Sequence, residues 1–181
     1  MLRFEFSELE GEEYLYLKFG LTGGNTAAIQ DNPMTDLTRY KSDYCISTDK
    51  AKLDLKAIHD FLSTKAYWCL NISYDTVKKA AGNSLNFGVY NDNKQIGYAR
   101  IISDFSTIAY LGDLYIIDEH RGKGLSKWLM ETIMSHSELQ GLRRWILLTG
   151  DAHGLYRQFG WTDIADPGKW MELYNRNVYS K

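Results

Sequence analysis

From Glu119 to Ser126 the chain reads Glu-His-Arg-Gly-Lys-Gly-Leu-Ser, between an apolar, β-branched stretch that ends near Ile117 and an amphipathic stretch that begins at Leu125. Two glycines at a strand-to-helix junction can aim successive backbone N–H groups into one concavity. The positive end of the helix dipole adds to this, and Arg121 and Lys123 add full charges. A diphosphate suits such a cradle, because it presses on backbone that a Cβ would hold off. The same turn could also do no more than start a helix. Two familiar nucleotide patterns do not fit. Gly122-Lys123 is followed by Gly124 where a Walker loop needs Ser or Thr, and Ile117 stands at that loop's first glycine. Lys127 stands at the third glycine of the dinucleotide pattern.

A second constellation runs from Thr149 to Trp161: Thr-Gly-Asp-Ala-His-Gly-Leu-Tyr-Arg-Gln-Phe-Gly-Trp. Gly160 reads as a helix stop and Trp161 as a core aromatic. Tyr156 fits either a core position on an amphipathic helix or a site position. Asp113 offers a carboxylate on the strand before the glycine turn.

The elements that must position these groups follow from periodicity. At the start, Leu2, Phe4 and Phe6 alternate with polar neighbours, Glu10-Gly11-Glu12 can turn, and Tyr14 to Phe19 is extended and aromatic, which predicts a β-hairpin. Gly20 to Pro33 reads as a loop, and the pattern after Met34 is self-sufficient. The expected organisation is a hairpin extension over 1–38 and one domain over 39–181. Within the domain, Tyr44 to Ser47 is a short strand. Leu55, Ile58, Phe61 and Leu62 lie at helical spacing after Asp54 as N-cap. Ser73 caps a second helix with Asp75 in its first turn. Three strands follow at Leu85–Tyr90, Gln95–Ile102 and Ile108–Ile117, with Asn91-Asp92-Asn93 as the first turn. A helix from Gly124 carries the stripe Leu125, Trp128, Leu129, Ile133. Trp145 to Thr149 is a strand, Ala152 to Phe159 a helix, and Trp170 to Tyr174 a last strand. This order predicts an α/β fold: a mixed, mostly antiparallel central sheet flanked by helices, with the hairpin appended. Links this short inside the meander exclude a purely parallel sheet.

Composition narrows the function classes. The 181 residues carry a net charge of -2 with both signs mixed along the chain, which argues against nucleic acid as a partner. A 44% hydrophobic and 14% aromatic content fits a folded core. No apolar run reaches bilayer length, and the acidic, alternating N-terminus resembles neither a signal peptide nor an anchor. Cys45 and Cys69 lack partners at metal-like spacing, so no metal is expected, and they read as two buried thiols of a cytoplasmic protein.

The glycine segment resembles the acyl-CoA pyrophosphate loop of the GNAT superfamily of N-acetyltransferases, Q/R-x-x-G-x-G/A. Arg121 stands at its first position and Gly124 at its fourth, and Ser126 departs from the usual Gly or Ala at the sixth. Asp113-Leu114-Tyr115-Ile116-Ile117 is similar to that family's fourth strand. The later segment resembles its second signature in Ala152, Leu155, Tyr156, Gly160 and Trp161, with Asp151 near where Asn is commoner. The likeness covers about Tyr44 to Tyr174, and its wording is nearest to a group of small bacterial members.

The resemblance implies transfer of an acetyl group from acetyl-CoA to a primary amine by direct attack in a ternary complex. Such a reaction needs a neutral amine (the alkylammonium pKa is ~10), a donor for the developing oxyanion and a proton for the departing thiolate. The implied assignment gives the oxyanion to the Leu114 N–H and the pantetheine arm to Leu114 and Ile116. It gives the pyrophosphate to Arg121, Gly122, Lys123, Gly124, Leu125 and Ser126, makes Asp151 a further cofactor contact, and makes Tyr156 the general acid. Asp113 is either the base, directly or through one water, or a strand aspartate bonded to a neighbouring loop. Tyr115 and His153 are further base or water-relay candidates, although His153, on a helix face, reads first as an exposed residue. The acceptor, a small-molecule or peptide amine, is expected between the first two helices and the sheet. Tyr67 and Trp68 would line it there, unless they pack in the core. Two other functions stay open: a catalytically silent acyl-CoA-binding sensor, and an interaction module. The N-terminal aromatics point to packing on the domain or on a second copy in a homodimer.

Overall fold

The protein, seen in a computed structural model, is described over residues 4–9, 12–17 and 36–180. Two units divide it, Met1–Pro33 and Met34–Lys181. In the first, β1 (Phe4–Leu9) pairs antiparallel with β2 (Glu12–Leu17), Phe4 opposite Leu17 and Leu9 opposite Glu12. The expected hairpin is there. Leu2, the turn residues Glu10-Gly11, Phe19 and the loop from Gly20 to Pro33 lie outside the described residues.

The second unit holds a six-stranded sheet in sequence order: β3 (Thr38–Lys41), β4 (Tyr44–Ser47), β5 (Leu85–Asn91), β6 (Lys94–Ser103), β7 (Ile108–Ile116) and β8 (Arg144–Leu147). Its links explain the pairing. Asp92 and Asn93, at φ 47° and 64°, form a two-residue turn whose twist suits antiparallel β5 and β6. The Asp104 carboxylate accepts the backbone N–H groups of Ser106, Thr107 and Ile108, at 2.8 to 3.1 Å, and closes the turn from β6 to β7. Only β8 runs parallel, beside β7, because a helix intervenes. β3 had no counterpart in the sequence pattern; its four residues are mostly exposed and show no alternation.

Helix α1 (Leu55–Thr64) starts where the Asp54 side chain accepts the Ala57 N–H at 2.9 Å. Helix α2 (Tyr74–Gly82) starts where Ser73 accepts the Thr76 N–H at 3.2 Å, with Asp75 in the first turn. Both caps are the expected ones. Helix α3 (Leu125–Met134) buries Leu125, Trp128, Leu129, Met130 and Ile133 against sheet residues that include Phe87, Ala99 and Leu111. Burying each such side chain fully contributes about 1.5–3 kcal/mol. A second cluster joins Ile58 and Leu62 of α1 to Val77 of α2 and to Tyr98 and Tyr115 of the sheet.

Two expectations near the C-terminus need correction. The helix expected over Ala152–Phe159 is one turn, α4 (His153–Tyr156), then a 3₁₀ turn over Arg157–Phe159, stopped by Gly160 at φ 81°. The strand expected at Trp170–Tyr174 is irregular, with Met171 and Leu173 fully exposed. Aromatic and apolar residues mark a segment that could pair, but a strand exists only beside a backbone partner. Among the described residues, β8 pairs with β7 alone.

Candidate functional site

The site begins with a fault in β7. Tyr98 faces Tyr115, yet Arg100 faces Gly112, so β7 carries one residue more than β6 in this stretch. The bulge includes Asp113, whose φ of 54° lies in the left-handed region, which Asp tolerates better than most side chains. On its other side β7 pairs with β8 only from Ile108 to Leu111. Beyond Gly112 the two strands part. The Ile117 N–H bonds the Ile96 carbonyl at 2.9 Å, toward β6. Strand alternation therefore turns the backbone groups of Leu114 and Ile116 to the open side. There the Ile116 carbonyl accepts the Arg121 Nε–H at 3.0 Å.

Next to this open edge lies the glycine loop. Gly122 and Gly124 sit at φ 75° and 74°, and an added Cβ at either would meet nothing within 4 Å. Conformation, not crowding, requires these glycines. Gly124 is the N-cap of α3 and offers no side-chain acceptor, so the first N–H groups of Leu125 and Ser126's turn are left for another partner. Arg121 also pairs with Asp118 at 2.9 Å, and Lys123 Nζ donates to the Tyr44 hydroxyl at 3.2 Å. His120 Nδ1 stands 3.2 Å from that same oxygen. Tyr44 and His120 had no signal in the sequence, since they lie 76 residues apart.

A cavity of about 770 Å³ opens where β7 and β8 part, lined in part by Asp113, Leu114, Asp151, Tyr156, Tyr67 and Trp68. The last two lie on the α1–α2 connection and are 55% and 42% exposed, so they are not core residues. Trp68 Nε1 donates to Asp113 Oδ1 at 3.1 Å. The Arg100 guanidinium binds the other Asp113 oxygen, with both side chains largely buried. The Tyr67 hydroxyl accepts the Gly150 N–H at 2.9 Å and donates to Asp151 Oδ1 at 3.4 Å. The strap Tyr67-Trp68 thus fastens to both β7 and the loop after β8. Arg100 is the residue that pattern reading missed; it looks like an ordinary polar position of β6.

Tyr156 is 9% exposed, and its hydroxyl is pushed up to about 12, first by burial and then by the Asp151 charge. It is therefore protonated at neutral pH and can donate a proton. Tyr115 does not fit the water-relay role: it is buried, stacked on Phe61 at 3.7 Å, and burial raises its hydroxyl far above the usual range. His153 is exposed at the start of α4 and lines a smaller cavity of about 430 Å³ beside Trp161 instead. Cys69 is buried, donates to the Leu62 carbonyl at 3.5 Å, and has its thiol pushed up to about 12 by burial. Cys45 is only half-buried rather than buried. Among the described residues no three His, Cys, Asp or Glu side chains gather as for a metal ion, and no helix is long and apolar enough to cross a membrane.

Comparison with known proteins gives this geometry a context. The sequence profile of the acetyltransferase (GNAT) family matches residues 55–161. A candidate acetyltransferase from Gibberella zeae is 33% identical over 149 residues, 70% of this chain and 83% of the relative. The crystal structure of a candidate GNAT-family acetyltransferase from Xanthomonas campestris pv. campestris is 46% identical, with a TM-score of 0.75, over 76% of this chain and 97% of that one. A candidate acetyltransferase from Clostridium acetobutylicum, solved with acetyl-CoA, shares the fold at 17% identity and a TM-score of 0.52, over 72% and 94% of the two chains.

Proposed function

The chain belongs to the acetyltransferase (GNAT) family, and from that premise we propose that it moves an acetyl group from acetyl-CoA to a primary amine. The observation that carries this reading is the open backbone edge at Leu114 and Ile116. It lies between the glycine loop on one side and Tyr156 on the other.

Residues Arg121 to Ser126 hold the pyrophosphate through backbone N–H groups at the start of α3 and the two side-chain cations. Ile116, with Leu114, holds the pantetheine arm through strand-like hydrogen bonds. When bound, acetyl-CoA supplies an activated acetyl thioester. The Leu114 N–H donates to the carbonyl oxygen as negative charge gathers there, at no reorganisation cost because β7 already holds it in place. The Tyr156 hydroxyl donates a proton to the departing sulfur. Burial keeps it protonated but also makes it a weaker acid than a free tyrosine, so the proton moves only as charge gathers on the sulfur. Asp113 has one oxygen on Arg100 and the other on Trp68. It fixes the bulge and the tryptophan, and the amine proton leaves to water in the open cavity. Tyr67 and Trp68 form a wall of the acceptor site.

A CoA-release assay over a panel of primary amines, beside calorimetry with acetyl-CoA, tests the reading. Binding together with amine-dependent CoA release is expected. Binding without release from any amine would make the protein a silent acyl-CoA module, and absence of binding would overturn the site.

A further inference from the structure

The cavity beside β7 is lined by groups of both signs. Asp113 and Arg100 neutralise each other, which leaves Asp151 and Glu172 against Arg176. Two carboxylates face one guanidinium, and that guanidinium already lies 5.9 Å over the Tyr174 ring. The exposed walls are aromatic. Tyr67 and Trp68 stand edge to face, with centroids 5.1 Å apart and planes at 90°. Aromatic faces carry negative charge density and attract cations. A carboxylate-bearing amine would meet like charge here, whereas an amine with a second ammonium would meet both the rings and the acids.

Building on the acetyltransferase reading, we propose that the acceptor is a dicationic aliphatic amine whose distal ammonium is held by Asp151 beside the rings of Tyr67 and Trp68. Asp151 is then a specificity-determining residue of the acceptor cavity and not a contact of the cofactor. Two observations support the reassignment. Its carboxylate accepts from Tyr67, on the acceptor wall, and its charge acts on the Tyr156 hydroxyl inside the cavity. The long bond of 3.4 Å to Tyr67 is weak enough to yield to an ammonium. Tyr67 meanwhile keeps its grip on the Gly150 N–H, so the wall stays in place.

The test uses the full chain with diaminobutane, butylamine and aminobutanoate, which share a four-carbon chain and differ in the charge of the tail. The diamine is expected to have the highest kcat/KM and the amino acid the lowest. Asp151→Asn should lower the ratio of diamine to butylamine by about tenfold, mainly through KM. Equal use of the three amines would overturn the proposal. So would an Asp151→Asn enzyme that loses all three acceptors alike together with affinity for acetyl-CoA, which would return the residue to the cofactor. If none of the amines releases CoA, the acetyltransferase reading is what fails for them. Calorimetry of diaminobutane with wild type and Asp151→Asn then decides the binding proposal: weaker binding by the variant supports it, and equal or absent binding overturns it. Should Asp151→Asn not fold, Asp151→Ser is read in the same way.

Discussion

The glycine loop and the strap over the cavity lie on either side of the same open strand edge, and they are built by opposite means. In the loop, the groups proposed to bind phosphate are backbone amides set by two left-handed glycines, and Arg121 finds its partners three and five residues away, at Asp118 and Ile116. In the strap, every working contact is between side chains or backbone far apart in sequence. Trp68 meets Asp113 across 45 residues, and Tyr67 meets Gly150 and Asp151 across 83 and 84. A phosphate can be bound by what every residue owns, so that half of the site needs only a short motif. An acceptor must be distinguished by side chains, and those have to be gathered from distant elements.

The largest expected effect falls on the residue between the two regions. Tyr156→Phe removes a proton donor and keeps ring and volume, so turnover should drop by ~10²–10⁴-fold with little change in acetyl-CoA affinity. A stably folded variant with near-normal turnover would reduce Tyr156 to a packing residue. The strap side breaks next. Arg100→Met leaves a mostly buried Asp113 carboxylate without its counter-charge, which should cost about 3 kcal/mol in urea unfolding. Adding Asp113→Asn should recover part of that loss, and full additivity of the two losses would deny the pair its role. The smallest effect belongs to the loop. Gly124→Glu places a side chain at a strained φ of 74° and an acid beside the anion site, so a melting curve on the same preparation accompanies the binding measurement. Affinity for acetyl-CoA should fall about tenfold, ~1.4 kcal/mol by calorimetry, and an unchanged affinity would remove the loop from the cofactor site.

These two regions also mark how far the sequence could be read. The caps at Asp54 and Ser73, the turn at Asp92-Asn93, the meander, the α3 stripe and the stop at Gly160 are local events, decided within a few residues by propensity and hydrogen-bond chemistry. The extended form of Trp170–Tyr174 is where the same reasoning failed. Its aromatic and apolar residues suit a strand, but pairing needs a neighbour that no local pattern supplies.

The sequence by itself determined the class of fold and the position of the glycine turn, because each rests on spacing along one strand or one turn of helix. The candidacy of Tyr156 came from its place in a signature that resembles the family's. Only the tertiary structure decided that Asp113 sits in a left-handed bulge with Arg100 on one oxygen and Trp68 on the other. It alone decided that Asp151 turns to Tyr67, and that Tyr115 is sealed behind Phe61. Register, bulges and long-range side-chain bonds are set when strands pair and helices dock, and a linear pattern holds the residue types for those contacts without the distances that select among them.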